Sequence, residues 1–274
     1  MKTILITGST GFVGKHLLKE LCFKNIKIKV IVRKEKKQEI QLIDKNIEII
    51  LSEDIYKEEE SWWINICKDV DILLNAAWYA EPGKYLQSFK NIECLNGSLR
   101  IALACQKSGV KKYVGIGTCF EYEMSDEFLS INTNLKPTTL YAATKVATYL
   151  TLKEFFDISK IEFLWCRLFY LYGEGEDSRR LVPYIHNRIK EGKIVELTIG
   201  DQIRDYLDVK FAAEMIIEMT LSNSTGPINI CSGIPITIKE LSENIANSYG
   251  RIDLLKFGAK EKNLTDPNCV VGIK

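Results

Sequence analysis

The chain has 274 residues and a formal net charge of +1, its 37 lysines and arginines nearly matched by 36 aspartates and glutamates. That length suits one large domain with a smaller appended lobe, and the balanced charge excludes a general nucleic-acid binder, which carries a basic excess. Eight cysteines without a C-x-x-C pair, and two histidines far apart at His16 and His186, offer no metal-ligand spacing.

Most of the cysteines sit in apolar stretches, as buried, reduced thiols of a cytosolic protein do. No apolar run nears the ~18 residues of a membrane span, and the first strand begins with no signal-peptide pattern before it. A cytoplasmic protein with no metal, membrane or nucleic-acid partner is expected.

In chain order, Thr3-Ile4-Leu5-Ile6-Thr7 is a β-branched apolar run that predicts a buried parallel strand. Gly8-Ser9-Thr10-Gly11-Phe12-Val13-Gly14 follows, then a helical pattern through Leu17, Leu18 and Leu21. Strand, glycine turn and helix is the context of a dinucleotide motif: glycines let backbone approach a pyrophosphate, and the helix start offers it free N–H groups. Gly8, Thr10, Gly11, Phe12, Val13 and Gly14 are the candidate contacts; a plain β–α turn is the alternative. A second strand, Lys27 to Val32, ends at Arg33-Lys34, where an NAD-binding unit offers a carboxylate to the ribose. Arginine suits a 2′-phosphate instead, so NADP is the expected cofactor; otherwise Arg33 is a solvated strand end and Glu35 serves the ribose.

Ile47 to Leu51 predicts a third strand, followed by Asp54-Ile55, whose carboxylate can accept from an adenine amino group. Ile72 to Leu74 predicts a fourth, running into Asn75-Ala76-Ala77, where Ala76 and Ala77 let a dinucleotide lie against backbone. Trp78 and Tyr79 either line a substrate pocket or pack beneath a lobe. Pro82 to about Lys107 reads as a long helix, and Lys112 to Gly117 as a fifth strand ending at Thr118.

Next, Tyr141-Ala142-Ala143-Thr144-Lys145 sets a phenol and an amine four residues apart, on one helical face. An ammonium beside a phenol favours the phenolate. Bringing a tyrosine from ~10 to neutrality needs about 4 kcal/mol, at ~1.4 kcal/mol per unit. A surface Tyr and Lys is the alternative.

Ile161 to Leu168 predicts a sixth strand, and the alternation gives a doubly wound parallel sheet with ligands outside the strands' carboxyl ends. Gly8, Arg33, Asp54, Asn75 and Thr118 all fall at those ends. Past Tyr172-Gly173 the pattern loosens into a smaller lobe holding Arg179, Arg180 and Arg204.

These segments, with Gly117-Thr118, Arg167-Leu168-Phe169-Tyr170-Leu171-Tyr172-Gly173 and Gly200-Asp201-Gln202-Ile203-Arg204-Asp205-Tyr206, resemble the extended short-chain dehydrogenase/reductases that act on nucleotide sugars, over about residues 1 to 250. The resemblance implies an α/β fold: a Rossmann domain over 1–170 and a smaller α/β substrate lobe over 171–274, the two interleaving. It implies a catalytic Thr118, Tyr141 and Lys145: Thr118 bonds the substrate oxygen, Tyr141 moves the proton, and Lys145 binds the nicotinamide ribose and lowers the Tyr141 pKa. Arg204 matches the arginine that clamps the sugar-nucleotide diphosphate, with Arg180 and Lys193 as further candidates for that anion.

Two departures stand out. Cys119 and Phe120 occupy the places where 4,6-dehydratases of the family carry an Asp-Glu pair, and Cys94 stands where many relatives have asparagine. The chain also ends early for the family, which implies an abbreviated last substrate-contacting segment. The expected reaction is NADPH-dependent reduction of the C4 keto group of a nucleotide-linked 6-deoxysugar. The alternatives are an NAD-dependent 4-epimerase, then a dehydratase, then a non-catalytic NADP-binding regulator. The resemblance further implies a homodimer paired through a four-helix bundle of the helices Pro82–Lys107 and Tyr141–Phe156.

Overall fold

The computed structural model describes residues 1–41, 47–263 and 266–274. Its elements run β1 (Thr3–Thr7), α1 (Phe12–Cys22), β2 (Lys27–Val32), α2 (Lys37–Gln41), β3 (Glu48–Leu51), α3 (Glu60–Ile66), β4 (Ile72–Asn75), α4 (Lys90–Ser108), β5 (Lys112–Thr118), α5 (Leu140–Ser159) and β6 (Glu162–Leu168). There follow β7 (Tyr170–Tyr172), α6 (Leu181–Lys190), β8 (Val195–Glu196), β9 (Ile203–Asp208), α7 (Val209–Leu221), β10 (Gly226–Ile230), β11 (Pro235–Thr237), α8 (Ile238–Ser248), β12 (Leu255–Lys256) and β13 (Cys269–Val270).

Seven strands form one sheet in the order β10-β6-β5-β4-β1-β2-β3, every neighbouring pair parallel. Strand pleating sorts the apolar side chains to opposite faces. Ile4 and Ile6 of β1 join the layer made by α1 and α7, while Leu5 joins the layer made by α3, α4 and α5. All three are fully buried, each burial contributing about 1.5–3 kcal/mol. The order reverses between β1 and β4, and that switch point opens the crevice where ligands of such sheets bind.

The chain past residue 171 both caps this crevice and completes the sheet. Helix α7 packs against α1, and β10 pairs with β6 from Gly226↔Leu164 to Ile230↔Leu168. The remainder forms a small sheet of β11, β9 and β13, with β7 also on β9, and a layer of α6 and α8 against the β8–β12 pair.

One predicted element differs. The helix expected from Pro82 begins at Lys90; before it come a left-handed Gly83 (φ +80°) and a 3₁₀ turn over Tyr85–Gln87. The cause is Asn91, fully buried, whose amide donates to the carbonyls of Tyr85 (2.6 Å) and Ser88 (2.9 Å) and folds the incoming chain back on the helix.

Candidate active site

A cleft of about 630 Å³ lies over the carboxyl ends of β1, β4 and β5. Its floor is the glycine turn. Gly8 sits at φ +70°, and a Cβ there would stand 2.6 Å from the Ala77 amide nitrogen. A Cβ on Gly14 would stand 2.0 Å from the Gly8 carbonyl oxygen, so α1 and the turn close on each other only without side chains. Gly11 caps α1 without a side-chain bond, and no acidic residue lies in that helix's first turn. An uncapped, uncontested helix N-terminus behind a glycine turn is a seat for an anion. These features fit a nicotinamide dinucleotide.

Gly8, Gly11, Phe12, Val13, Gly14 and Ala76 line the cleft. Thr10 lies outside its lining, and Ala77 serves through its backbone: its N–H donates to Thr7 Oγ1 (3.2 Å) and its carbonyl accepts from the Tyr56 hydroxyl (2.6 Å). Arg33, Asp54 and Ile55 stand beyond the enclosed part, past the ends of β2 and β3. Arg33 pairs with Glu35 at 3.4 Å, and Asp54 accepts from the Tyr56 amide at 3.1 Å. The Ile55 carbonyl accepts from the Trp63 indole at 3.3 Å.

Thr118, Tyr141 and Lys145 converge on the cleft. Thr118 ends β5 beside Tyr141, its hydroxyl accepting from the Phe120 amide at 3.3 Å. Tyr141 and Lys145 lie one turn apart at the start of α5, which Thr139 caps by accepting from the Ala142 amide at 3.1 Å. The Lys145 ammonium donates to the Ile116 carbonyl at 2.7 Å and lies 3.6 Å from the Trp78 ring centre. Burial brings this lysine down to about 7, opposed chiefly by the charge of Glu121. Burial also raises Tyr141, with the Tyr85 phenol adding to it and the Thr118 hydrogen bond opposing it. The spacing alone leads one to expect the opposite direction; the desolvation of a phenol 4.8 Å from the Tyr85 ring overrides it.

Trp78 belongs to the cleft wall, its indole N–H held by Asn91 Oδ1 at 2.8 Å, whereas Tyr79 turns outward to Glu81 (3.0 Å). After Thr118, the Cys119 thiol is buried and pushed up to about 12, and Phe120 meets the Tyr170 ring edge-on at 6.2 Å. Neither place carries a carboxylate. Glu176, on the loop after β7, does line the cleft; burial lifts its carboxyl to about 7, and its Oε2 is enclosed without a hydrogen-bond partner. That loop is tied to α1, where His16 Nε2 stands 2.9 Å from the Glu174 carbonyl oxygen.

The arginines divide. Arg180 lines the cleft, 5.6 Å from the Tyr85 ring. Arg204 is buried behind Tyr170, pairing with Asp266 at 2.8 Å and donating to the carbonyls of Ile203 and Asn268. Lys193 lies at the far end of α6, paired with Glu191 at 2.7 Å. Sequence reasoning missed Glu121, Trp165 and Tyr85 as neighbours of the centre. Only Tyr85 left a signal, as an aromatic in the segment read as helix.

A sheet that reverses at β1/β4, a glycine turn feeding an uncapped helix, and a hydroxyl, phenol and amine at the strand ends together define a short-chain oxidoreductase fold. The chain belongs to the NAD dependent epimerase/dehydratase family, whose model matches residues 4–231. It is 23% identical to the dTDP-6-deoxy-L-talose 4-dehydrogenase (NAD(+)) of Aggregatibacter actinomycetemcomitans, over 99% of both chains. It is 26% identical to a CDP-abequose synthase of Salmonella muenchen, over 94% of this chain and 84% of that one. Among solved structures, it matches a UDP-N-acetylglucosamine 4-epimerase from Methanobrevibacter ruminantium M1 with a TM-score of 0.86 and 25% identity, covering 99% of this chain and 89% of that one. The chain is thus a member of an NAD dependent enzyme family built on the short-chain dehydrogenase/reductase fold, and the relatives named here act on nucleotide sugars.

Proposed function

We propose that this enzyme uses NADPH to reduce the C4 keto group of a nucleotide-linked 6-deoxysugar. The observation that carries the reading is a cleft where Thr118, Tyr141 and Lys145 meet while the two residues after Thr118 are a buried thiol and a phenyl ring. A threonine, a phenol and an amine suffice for carbonyl reduction, and elimination of water needs the carboxylates that Cys119 and Phe120 replace. The relative named a 6-deoxy-L-talose 4-dehydrogenase points to the same sugar position.

The dinucleotide supplies the hydride; the protein supplies orientation and the proton. Thr118 Oγ1 donates to the keto oxygen and aims it at Tyr141. Tyr141, which burial keeps as the phenol, then gives that oxygen its proton as the carbon is reduced. The Lys145 ammonium stabilises the phenolate left behind and holds the nicotinamide ribose. The same burial suits a donor better than a base. The cofactor phosphates would be held by the amino end of α1 and the Gly8–Gly14 turn, and the sugar-nucleotide diphosphate by Arg180, which lines the cleft, with the buried charge of Arg204 behind Tyr170. Arg33 favours NADP, with Lys34 beside it and an exposed Glu35 as its partner.

An NAD-dependent 4-epimerase is the second reading, favoured by the likeness to the Methanobrevibacter epimerase and by the NAD(+) in the dehydrogenase's name. Purified protein mixed with a 4-keto-6-deoxy sugar nucleotide consumes NADPH if the first reading is right, and prefers it to NADH until Arg33 is changed to alanine. No consumption, with NAD retained through purification and 4-epimers interconverted, establishes the second.

A further inference from the structure

We propose that Glu121 is a positioning residue of this active site: its buried carboxylate fixes the Thr118 backbone at the end of β5 and, bonded to the Trp165 indole beside Lys145, supplies that amine's counter-charge. Glu121 is fully buried, three residues past Thr118 and behind the cleft wall. One oxygen accepts from the Thr118 amide at 2.9 Å and from the Trp165 indole N–H at 3.0 Å; the other accepts from Arg167 Nε at 2.7 Å. All three partners are donors only, so a protonated carboxyl would find no acceptor, and the arrangement selects the carboxylate. Space is cleared for it: a Cβ on Gly117 would lie 2.5 Å from Glu121 Oε1 and 2.3 Å from the indole nitrogen.

The Trp165 indole is next to both groups: its N–H donates to this carboxylate, and its ring centre lies 5.9 Å from Lys145 Nζ. The groups that face Lys145 are Glu121 and Cys94, which favour its charged form, the Ile116 carbonyl, and the faces of Trp78 and Tyr141. Those that face Glu121 are Arg167, Thr118, Trp165, Tyr141 and, through Arg167, the Tyr122 hydroxyl at 3.0 Å. Burial raises the Glu121 carboxyl above the ordinary carboxylate range, and the Arg167 charge with the bonds from Arg167, Thr118 and Trp165 opposes that rise; as the carboxylate these donors call for, Glu121 is the negative charge that offsets the burial of the lysine.

The titration of Lys145, followed by lysine ¹³Cε NMR and assigned by its loss in Lys145→Arg, tests this without substrate. In Glu121→Gln the midpoint falls by about 1 pH unit, and the Thr118 amide exchanges at least ~10-fold faster. Glu121→Asp keeps the charge and the ion pair but withdraws them by one methylene. It leaves the midpoint in place and still quickens Thr118 exchange, which carries the test if the glutamine variant does not fold. Unchanged titration in a folded Glu121→Gln, or unchanged Thr118 exchange in Glu121→Asp, overturns the proposal.

The kinetic arm rests on the reductase reading: the alkaline limb of kcat moves to lower pH in Glu121→Gln, following Lys145. If no sugar nucleotide is turned over, that reading falls while the NMR result still decides the role of Glu121.

Discussion

At the residue scale the centre is a set of groups held against their ordinary ionisation. Lys145 unfolded keeps its proton to about pH 10, and folded it loses it near 7. Between those values the unfolded state binds more protons, so this residue makes stability rise with pH. Below pH 7 the charge is buried at a cost that Glu121, Trp78 and the Ile116 carbonyl only partly offset. Lys145→Met should abolish turnover yet stabilise the fold by about 2 kcal/mol at pH 6, the gain shrinking toward pH 10; thermal melts across that range check it. Tyr141→Phe should lower kcat by ~10²- to 10⁴-fold while cofactor affinity by calorimetry stays near the parent's.

What the sequence disclosed here depended on distance along the chain. Tyr141 and Lys145 were legible because helix geometry alone aligns them. Glu121 was not, because its meaning comes from Arg167, 46 residues on, and nothing local marks it as buried. The direction of the Tyr141 shift was likewise hidden, since it follows from Tyr85 and the closed wall and not from spacing.

At the scale of elements, β1, β2, β4, β5 and β6 were readable to within a residue or two, because strands buried along most of their length are dominated by apolar residues. The start of α4 was not readable, since apolar spacing continues through Leu86 and Phe89 while Asn91 bends the backbone. The glycine turn shows how tightly two elements can demand one residue type. Gly8→Ala combines a left-handed backbone with a 2.6 Å collision against the turn after β4. It should cost about 2 kcal/mol or more and remove cofactor binding. Gly83→Ala meets open space at a similar φ of +80° and should cost the backbone strain alone, about 1 kcal/mol. Denaturant melts of the two variants side by side separate collision from strain.

For the whole molecule, α4 and α5 lie against each other on one face and leave Ile92, Leu103, Leu150 and Ile158 exposed. We expect a second copy to cover them as a four-helix bundle: light scattering at micromolar concentration should give twice the chain mass, and Leu150→Glu with Ile158→Glu should give the monomer. A monomer from the unchanged protein would refute this.

One edge strand of the main sheet, Gly226–Ile230, is translated after α6, β9 and α7, yet it must lie beside β6. The edge of β6 therefore stays uncovered while residues 169–225 are made, and the nascent chain cannot seal it until the ribosome has released the segment that follows. A ribosome-bound chain stalled before residue 226 should be open to protease at β6 while β1 and β2, already paired, resist it.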